Sequence, residues 1–208
     1  MPPMCPLAHP LDGMTFVAFD TETTGFNADA GRLVEIAGVK FSLDGTILGT
    51  FQSLINPGIP IPPEVVRIHG ITNMAVRGCP SAAVVLSHFF AFVEGPATVL
   101  VAHNAPFDLR FLQAEVARHA LLPPAVPVLD TLPLARRYLP GLPNHRLDTV
   151  ARSLGLLVEM HHRAFADSLL VQGIVSRLLA ALPPQRALEE VRRARLRLAA
   201  PDAEPWGR

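Results

Sequence analysis

The chain has 208 residues, is 50% hydrophobic and 17% charged, and so can bury a substantial core; it is not disordered as a whole. Lys plus Arg and Asp plus Glu balance at 18 each, which excludes a bulk cationic coat for nucleic acid and leaves only a local basic groove. Two cysteines make no disulfide framework, no apolar run reaches the ~18 residues of a membrane span, and residues 1–12 lack the Lys or Arg that opens a signal peptide, so a cytoplasmic setting without a membrane partner is expected.

Residues 1–13 read as a flexible leader. Thr15–Asp20 is an apolar strand, expected to be buried on both faces. Leu33–Phe41 is a second strand and Thr46–Ile55 a third. The Leu43-Asp44-Gly45 step between them predicts an antiparallel hairpin. Pro57–Pro63 is an irregular loop, and Pro62-Pro63-Glu64 opens a short helix that stops at Gly70. Pro80–Val93 is an amphipathic helix and Ala97–Ala102 a fourth strand. Pro106–Ala120 is a helix with Phe107, Phe111, Leu112 and Val116 on one side. A short fifth strand, Ala125–Leu129, precedes helices over Leu132–Tyr138, Leu147–Leu154 and Ala164–Leu182. Strands first, then helices alternating with strands, predict one α/β domain with a mixed sheet over residues 14–182. Pro183-Pro184 marks a break. Residues 183–208 hold six Arg and four acids, and Gln185–Leu198 reads as a helix that either packs on the body or docks a partner or nucleic acid.

Three stretches carry chemistry. The first is Phe16-Val17-Ala18-Phe19-Asp20-Thr21-Glu22-Thr23-Thr24-Gly25. A spacing of two on a strand sends Asp20 and Glu22 to one face with Cα atoms about 7 Å apart. Two carboxylates at the end of a buried strand repel each other, and a divalent cation removes that cost. Gly25 and the threonines suggest a tight turn that admits a ligand to the main chain. The second stretch is His103-Asn104-Ala105-Pro106-Phe107-Asp108, where Asn104 or Ala105 caps a helix and Asp108 falls in its first turn. An acid there also suits the helix dipole without any further role. The third is His161-His162-Arg163-Ala164-Phe165-Ala166-Asp167. Five residues turn a helix by about 500°, so His162 and Asp167 do not share a helical face. His162 belongs on the loop leading in, where a neutral imidazole can serve as a general base.

Asp20 and Glu22 (D-x-E), Asp108 in an H-N-x-x-F-D stretch, and His162 with Asp167 (H-x4-D) occur in that order, and the set resembles the DnaQ-like 3′–5′ exonucleases of the DEDD superfamily, in the branch with a histidine in its third motif. No motif residue departs from the pattern. Asp20–Gly25 is the form typical of polymerase proofreading subunits of the polymerase III epsilon type and of PolC-type exonuclease domains. Ile68–Thr72 and Asn144–Thr149 also match stretches of the family, and the resemblance spans residues 15–180. It implies a ribonuclease-H-like fold, a five-stranded mixed sheet with one antiparallel strand flanked by helices.

It further implies two Mg²⁺ or Mn²⁺ ions held by Asp20, Glu22, Asp108 and Asp167. An all-carboxylate set without cysteine fits these hard cations better than zinc. The implied substrate is a single-stranded or frayed 3′ end of DNA, with RNA as the alternative. The implied partner is a DNA polymerase subunit. Thr21, Thr23, Thr24, His69 and Phe107 are implied to seat the terminal nucleotide, although helix packing accounts for Phe107 and a helix C-terminus for His69 equally well. Asp130 reads as a helix cap, Asp148 as a first-turn acid, and Glu35 as a strand acid that could face the cleft. A non-catalytic polymerase-binding module would show a broken metal set, and here every motif position is intact.

Overall fold

The computed structural model describes residues 9–158, 163–194 and 196–198. Strand β1 spans Thr15–Thr23, β2 Leu33–Phe41 and β3 Ile47–Leu54. Helices α1 (Pro63–His69), α2 (Asn73–Val76) and α3 (Ala82–Val93) follow, then β4 (Thr98–Ala102), α4 (Ala105–His119) and β5 (Pro127–Asp130). The chain continues through α5 (Thr131–Tyr138), α6 (Leu147–Ser153), α7 (Ala164–Ala180) and α8 (Pro184–Arg192) to β6 (Leu196–Arg197).

The strands form one mixed sheet in the order β3-β2-β1-β4-β5-β6. β2 runs antiparallel to both β1 and β3, while β1, β4 and β5 are mutually parallel. The expected α/β architecture is therefore present, with one addition. The C-terminal stretch read as helical through Leu198 leaves the helix after Arg192, and Leu196–Arg197 pairs antiparallel with Pro127–Val128 as a sixth strand. This short strand covers an edge that β5 would otherwise present unpaired.

Alternation along β1 divides the core. Phe16 and Ala18 join a cluster with Val171, Ile174 and Val175 of α7, whereas Val17 and Phe19 join one with Phe89 of α3 and Leu109 and Leu112 of α4. The central strand is thus buried on both faces, as its apolar run predicts. Leu11, within the stretch read as leader, is fully buried in the α7-side cluster. At the other end, Ala187, Val191 and Leu198 are buried, so α8 and β6 pack on the body. Among the described residues, no helix is long and apolar enough to cross a membrane.

Candidate active site

The end of β1 is where the two layers of helices meet. Residues two apart on a strand share a face, so Asp20 and Glu22 continue the series of Phe16 and Ala18 toward α7. Thr21 and Thr23 continue that of Val17 and Phe19 toward α4. This alternation decides which acid meets which. On the α7 side, Asp20, Glu22 and Asp167 each bring a carboxylate oxygen within 4.8 Å of the others. On the α4 side, Asp108 Oδ1 accepts the backbone N–H of Thr21 at 3.1 Å and its hydroxyl at 2.6 Å. Asp108 and Asp167 both lie in the first turn of their helices, as expected, and both are buried.

The electrostatics fit a cation site. Burial pushes the Asp20 carboxyl well above the usual carboxylate range, and the nearby charges of Asp108, Glu22 and Asp167 push it further. Glu22 is raised to about 8, mainly by burial and then by Asp167 and Glu35. Burial raises Asp108 to about 7 against the hydrogen bonds from Thr21, which hold it down. Oxygen donors this close, in a setting where burial and neighbouring charge make Asp20 and Glu22 costly to ionise, are a donor set for a hard divalent cation.

A fifth acid borders the cluster. Glu35 on β2 lies directly opposite Glu22 and is fully buried. A like-charge cross-strand pair is unfavourable. Here Arg163 compensates, its Nη2 lying 3.1 Å from Glu35 Oε1 and its Nε 3.3 Å from Oε2. Gln52 Nε2 and the Ala164 backbone N–H also donate to Glu35, at 2.9 and 3.2 Å. Glu35 thus fastens the start of α7 to the sheet. The sequence showed that Glu35 could face the cleft; its partners, Gln52 on β3 and Arg163 at the start of α7, had no local signal.

The threonines after Asp20 build the turn. Thr23 Oγ1 donates to the Gly25 carbonyl at 2.6 Å, and Thr24 Oγ1 accepts the Arg32 N–H at 3.0 Å. With the Thr21 hydroxyl engaged by Asp108, all three hydroxyls make a hydrogen bond within the protein. A Cβ on Gly25 would meet nothing within 4 Å, and its φ is ordinary, so the protein itself imposes no need for glycine there. His69 is buried at the end of α1, and its Nδ1 accepts the Ile71 N–H at 3.0 Å. The Phe107 ring packs against Phe111 at 5.2 Å between centroids, on the α4-side core.

Asn104, with φ 68°, turns the chain from β4 into α4, and its N–H donates to Asp130 Oδ1 at 2.9 Å. Asp130 also accepts the Leu132 N–H at 3.0 Å, acting as the cap its sequence suggested. His103 bridges Thr131 Oγ1 at 2.8 Å and the His145 carbonyl at 2.7 Å, and burial lowers its pKa. His162, the expected general base, and its neighbour His161 lie outside the described residues.

The chain belongs to the exonuclease family whose model, RNase T, matches residues 17–173. It is a DnaQ-like exonuclease of the polymerase III epsilon type. The DNA polymerase III subunit epsilon of Treponema pallidum (strain Nichols) is 40% identical over 169 residues, covering 80% of this chain and 77% of that protein. The PolC-type DNA polymerase III of Pediococcus pentosaceus is 37% identical over 159 residues, 76% of this chain; the chain spans only 11% of that protein's length. Among solved structures, exonuclease X in complex with 5′ overhanging duplex DNA is 28% identical with a TM-score of 0.65, covering 85% of this chain and 99% of that one. Exonuclease I of E. coli with a dT13 oligonucleotide gives a TM-score of 0.75 at 21% identity, covering 88% of this chain and 44% of that one, a likeness of fold.

Proposed function

We propose that this protein is a metal-dependent 3′–5′ exonuclease that releases nucleoside 5′-monophosphates from the 3′ ends of DNA, in proofreading or repair. The observation that carries the reading is the triad of Asp20, Glu22 and Asp167, whose oxygens lie within 4.8 Å of one another. Two Mg²⁺ or Mn²⁺ ions are the cofactor this donor set suits, held by these three with Asp108. Bound there, such ions supply charge neutralisation around the phosphodiester and a water acidic enough to attack at neutral pH.

The chain's own residues do the rest. His162 accepts the proton of the attacking water. Thr21 favours the ionised form of Asp108 by donating two hydrogen bonds to it. Glu35 fixes the start of α7, and with it Asp167, to the sheet. The open space over Gly25 lets the terminal nucleotide approach the main chain of Thr21–Thr24. In this reading His69 and Phe107 help seat that nucleotide; stacking of a base on an aromatic ring is worth about 1–3 kcal/mol and tolerates any sequence. The likeness to a polymerase III epsilon subunit and to a DNA-bound exonuclease makes DNA the substrate of choice, and a polymerase the partner of choice.

The test is degradation of matched single-stranded DNA and RNA labelled at the 5′ end. Stepwise shortening of the DNA from its 3′ end, abolished by EDTA and restored by Mg²⁺ or Mn²⁺, is the expected result. Activity that persists through thorough metal removal contradicts the mechanism, and faster loss of the RNA would move the substrate class.

A further inference from the structure

A cavity of about 870 Å³ opens beside Asp167, walled by the turn from β4 into α4, by α5 and by the start of α6. None of Thr21–Thr24, His69 or Phe107 is among its described lining residues. Arg136 and Arg146 stand on its walls, both exposed. Neither guanidinium makes a hydrogen bond or ion pair with another described residue. Their neighbours behave differently: Arg137 lies 2.7 Å from Glu190, and Arg152 lies 2.8 Å from Asp148. Of the two acids on the cavity wall, Asp148 is therefore paired and Asp167 belongs to the cation cluster.

The walls are held in place. His103 reaches the His145 carbonyl at 2.7 Å, His145 Nε2 reaches the Leu139 carbonyl at 3.0 Å, and Asn144 Oδ1 accepts the Arg146 N–H at 3.0 Å. The loop carrying Arg146 is thus tied both to the H-N-x-x-F-D turn and to the end of α5. The described lining contains no Phe, Tyr or Trp, and its two imidazoles, His103 and His145, are each bonded to a backbone carbonyl. A chain of zero formal net charge that binds nucleic acid needs its cations concentrated near the reacting phosphate. Here two uncommitted ones line a space that begins at a catalytic carboxylate.

We propose that Arg136 and Arg146 hold the backbone phosphates of the nucleotides 5′ to the scissile bond, so that the cavity is the channel for the single strand behind the terminal nucleotide. The inference rests on the exonuclease reading and deepens it. Phosphate contacts position a strand without reading its sequence, so binding through this channel is indifferent to base and sensitive to salt.

The double variant Arg136→Gln/Arg146→Gln tests this on two substrates. The p-nitrophenyl ester of thymidine 5′-monophosphate carries no phosphate upstream of its nucleotide; a dT oligonucleotide carries many. On the oligonucleotide, KM should rise by about tenfold, and the slope of log(kcat/KM) against log salt should shrink by about 0.7 for each lost phosphate contact, about 1.4 in all. Hydrolysis of the ester should be unchanged, and Lys at both positions should restore the salt slope. An unaltered KM and slope on the oligonucleotide would overturn the proposal. So would an equal loss on the ester, which would place the terminal nucleotide in the cavity. Metal-free binding of labelled dT oligonucleotide, followed by anisotropy, separates this proposal from the reading beneath it. Salt-sensitive binding that the double variant loses, in a protein that cleaves neither substrate, refutes the exonuclease and upholds the channel.

Discussion

Asp108 Oδ1 receives two hydrogen bonds from Thr21, one from its backbone N–H at 3.1 Å and one from its hydroxyl at 2.6 Å. This pair is the buried joint between β1 and α4, and it spans 87 positions of sequence. The bonds to Asp108 stabilise its charged form, opposing the burial that raises it to about 7. Thr21→Val keeps the N–H and the shape but removes the hydroxyl. Asp108 should then titrate higher and be less ionised at neutral pH. The acid limb of the pH–rate profile should move to higher pH, with the fold destabilised by only about 0.5–1.5 kcal/mol. A profile that does not move would mean that Asp108 ionisation does not limit the rate.

The acid cluster makes a prediction about stability without metal. In the unfolded chain these carboxyls titrate near 4. In the folded chain Glu22 is raised to about 8, Asp108 to about 7, and Asp20 is also raised. Between those limits the folded state binds more protons than the unfolded one, so stability falls as pH rises through the window. In EDTA, Tm should decline from pH 5 toward pH 8. Mg²⁺ or Mn²⁺ should raise Tm more at pH 8 than at pH 6, because the ions replace the protons. Asp20→Asn should flatten the EDTA curve and forfeit most of the metal increment. A larger metal increment at the lower pH would contradict this account.

Histidine assignment is tested by substitution. The H-x4-D spacing makes His162, and not His161, the proposed general base. His162→Ala should lower kcat sharply and flatten the rise of rate with pH near neutrality, while His161→Ala leaves the profile intact. The reverse outcome would reassign the base.

Glu35 is fully buried opposite Glu22, and four donor groups from Gln52, Arg163 and Ala164 satisfy it. Removing the carboxylate leaves a buried Ala164 N–H without an acceptor. Removing Arg163 leaves the buried carboxylate without a counter-ion, with only Gln52 and Ala164 still donating to it, the costlier defect, at about 1.5–3 kcal/mol. Arg163→Met should therefore destabilise more than Glu35→Gln, which keeps an acceptor for Ala164. It should also raise Glu22, since the Arg163 charge now lowers it. Urea unfolding of the two variants measures the ranking; a Glu35→Gln protein that is the less stable of the two would show that the amide cannot replace the carboxylate at Ala164.

What the sequence revealed followed periodicity and punctuation. The second strand was legible to the residue because nine positions of near-continuous apolar character end at an Asp-Gly turn. Asp20 and Glu22 were legible as a pair because strand alternation is local. Their meeting with Asp167 followed from motif order. Two features had no such signal. Glu35 is tied to Arg163 across 128 positions, and nothing in either neighbourhood announces the other. The sixth strand has two residues, too few for any alternation, and Leu188, Val191, Ala194 and Leu198 fall close enough to helical register to extend the helix on paper. Pairing with β5, a tertiary event, ends it.

The last prediction concerns α8, which lies outside the matched family region. Glu190 is buried, and Arg137 Nη1 reaches both of its oxygens at 2.7 Å; the Tyr138 hydroxyl donates at 2.8 Å, and Arg193 and Arg186 approach to 3.4 and 3.6 Å. This network joins α8 to α5, while Ala187 and Val191 bury the helix's apolar side. The helix should therefore unfold with the domain. Glu190→Ala removes a buried acceptor of several hydrogen bonds, while the arginines it leaves are half exposed, and should cost about 1.5–3 kcal/mol. Arg193→Ala, removing a half-exposed partner at the rim, should cost less than about 1 kcal/mol. Both should leave turnover per folded molecule unchanged. A single urea transition that shifts by those amounts fits a helix integral to the fold. An unshifted transition for Glu190→Ala would instead mean that α8 detaches independently, and would free it to serve a partner.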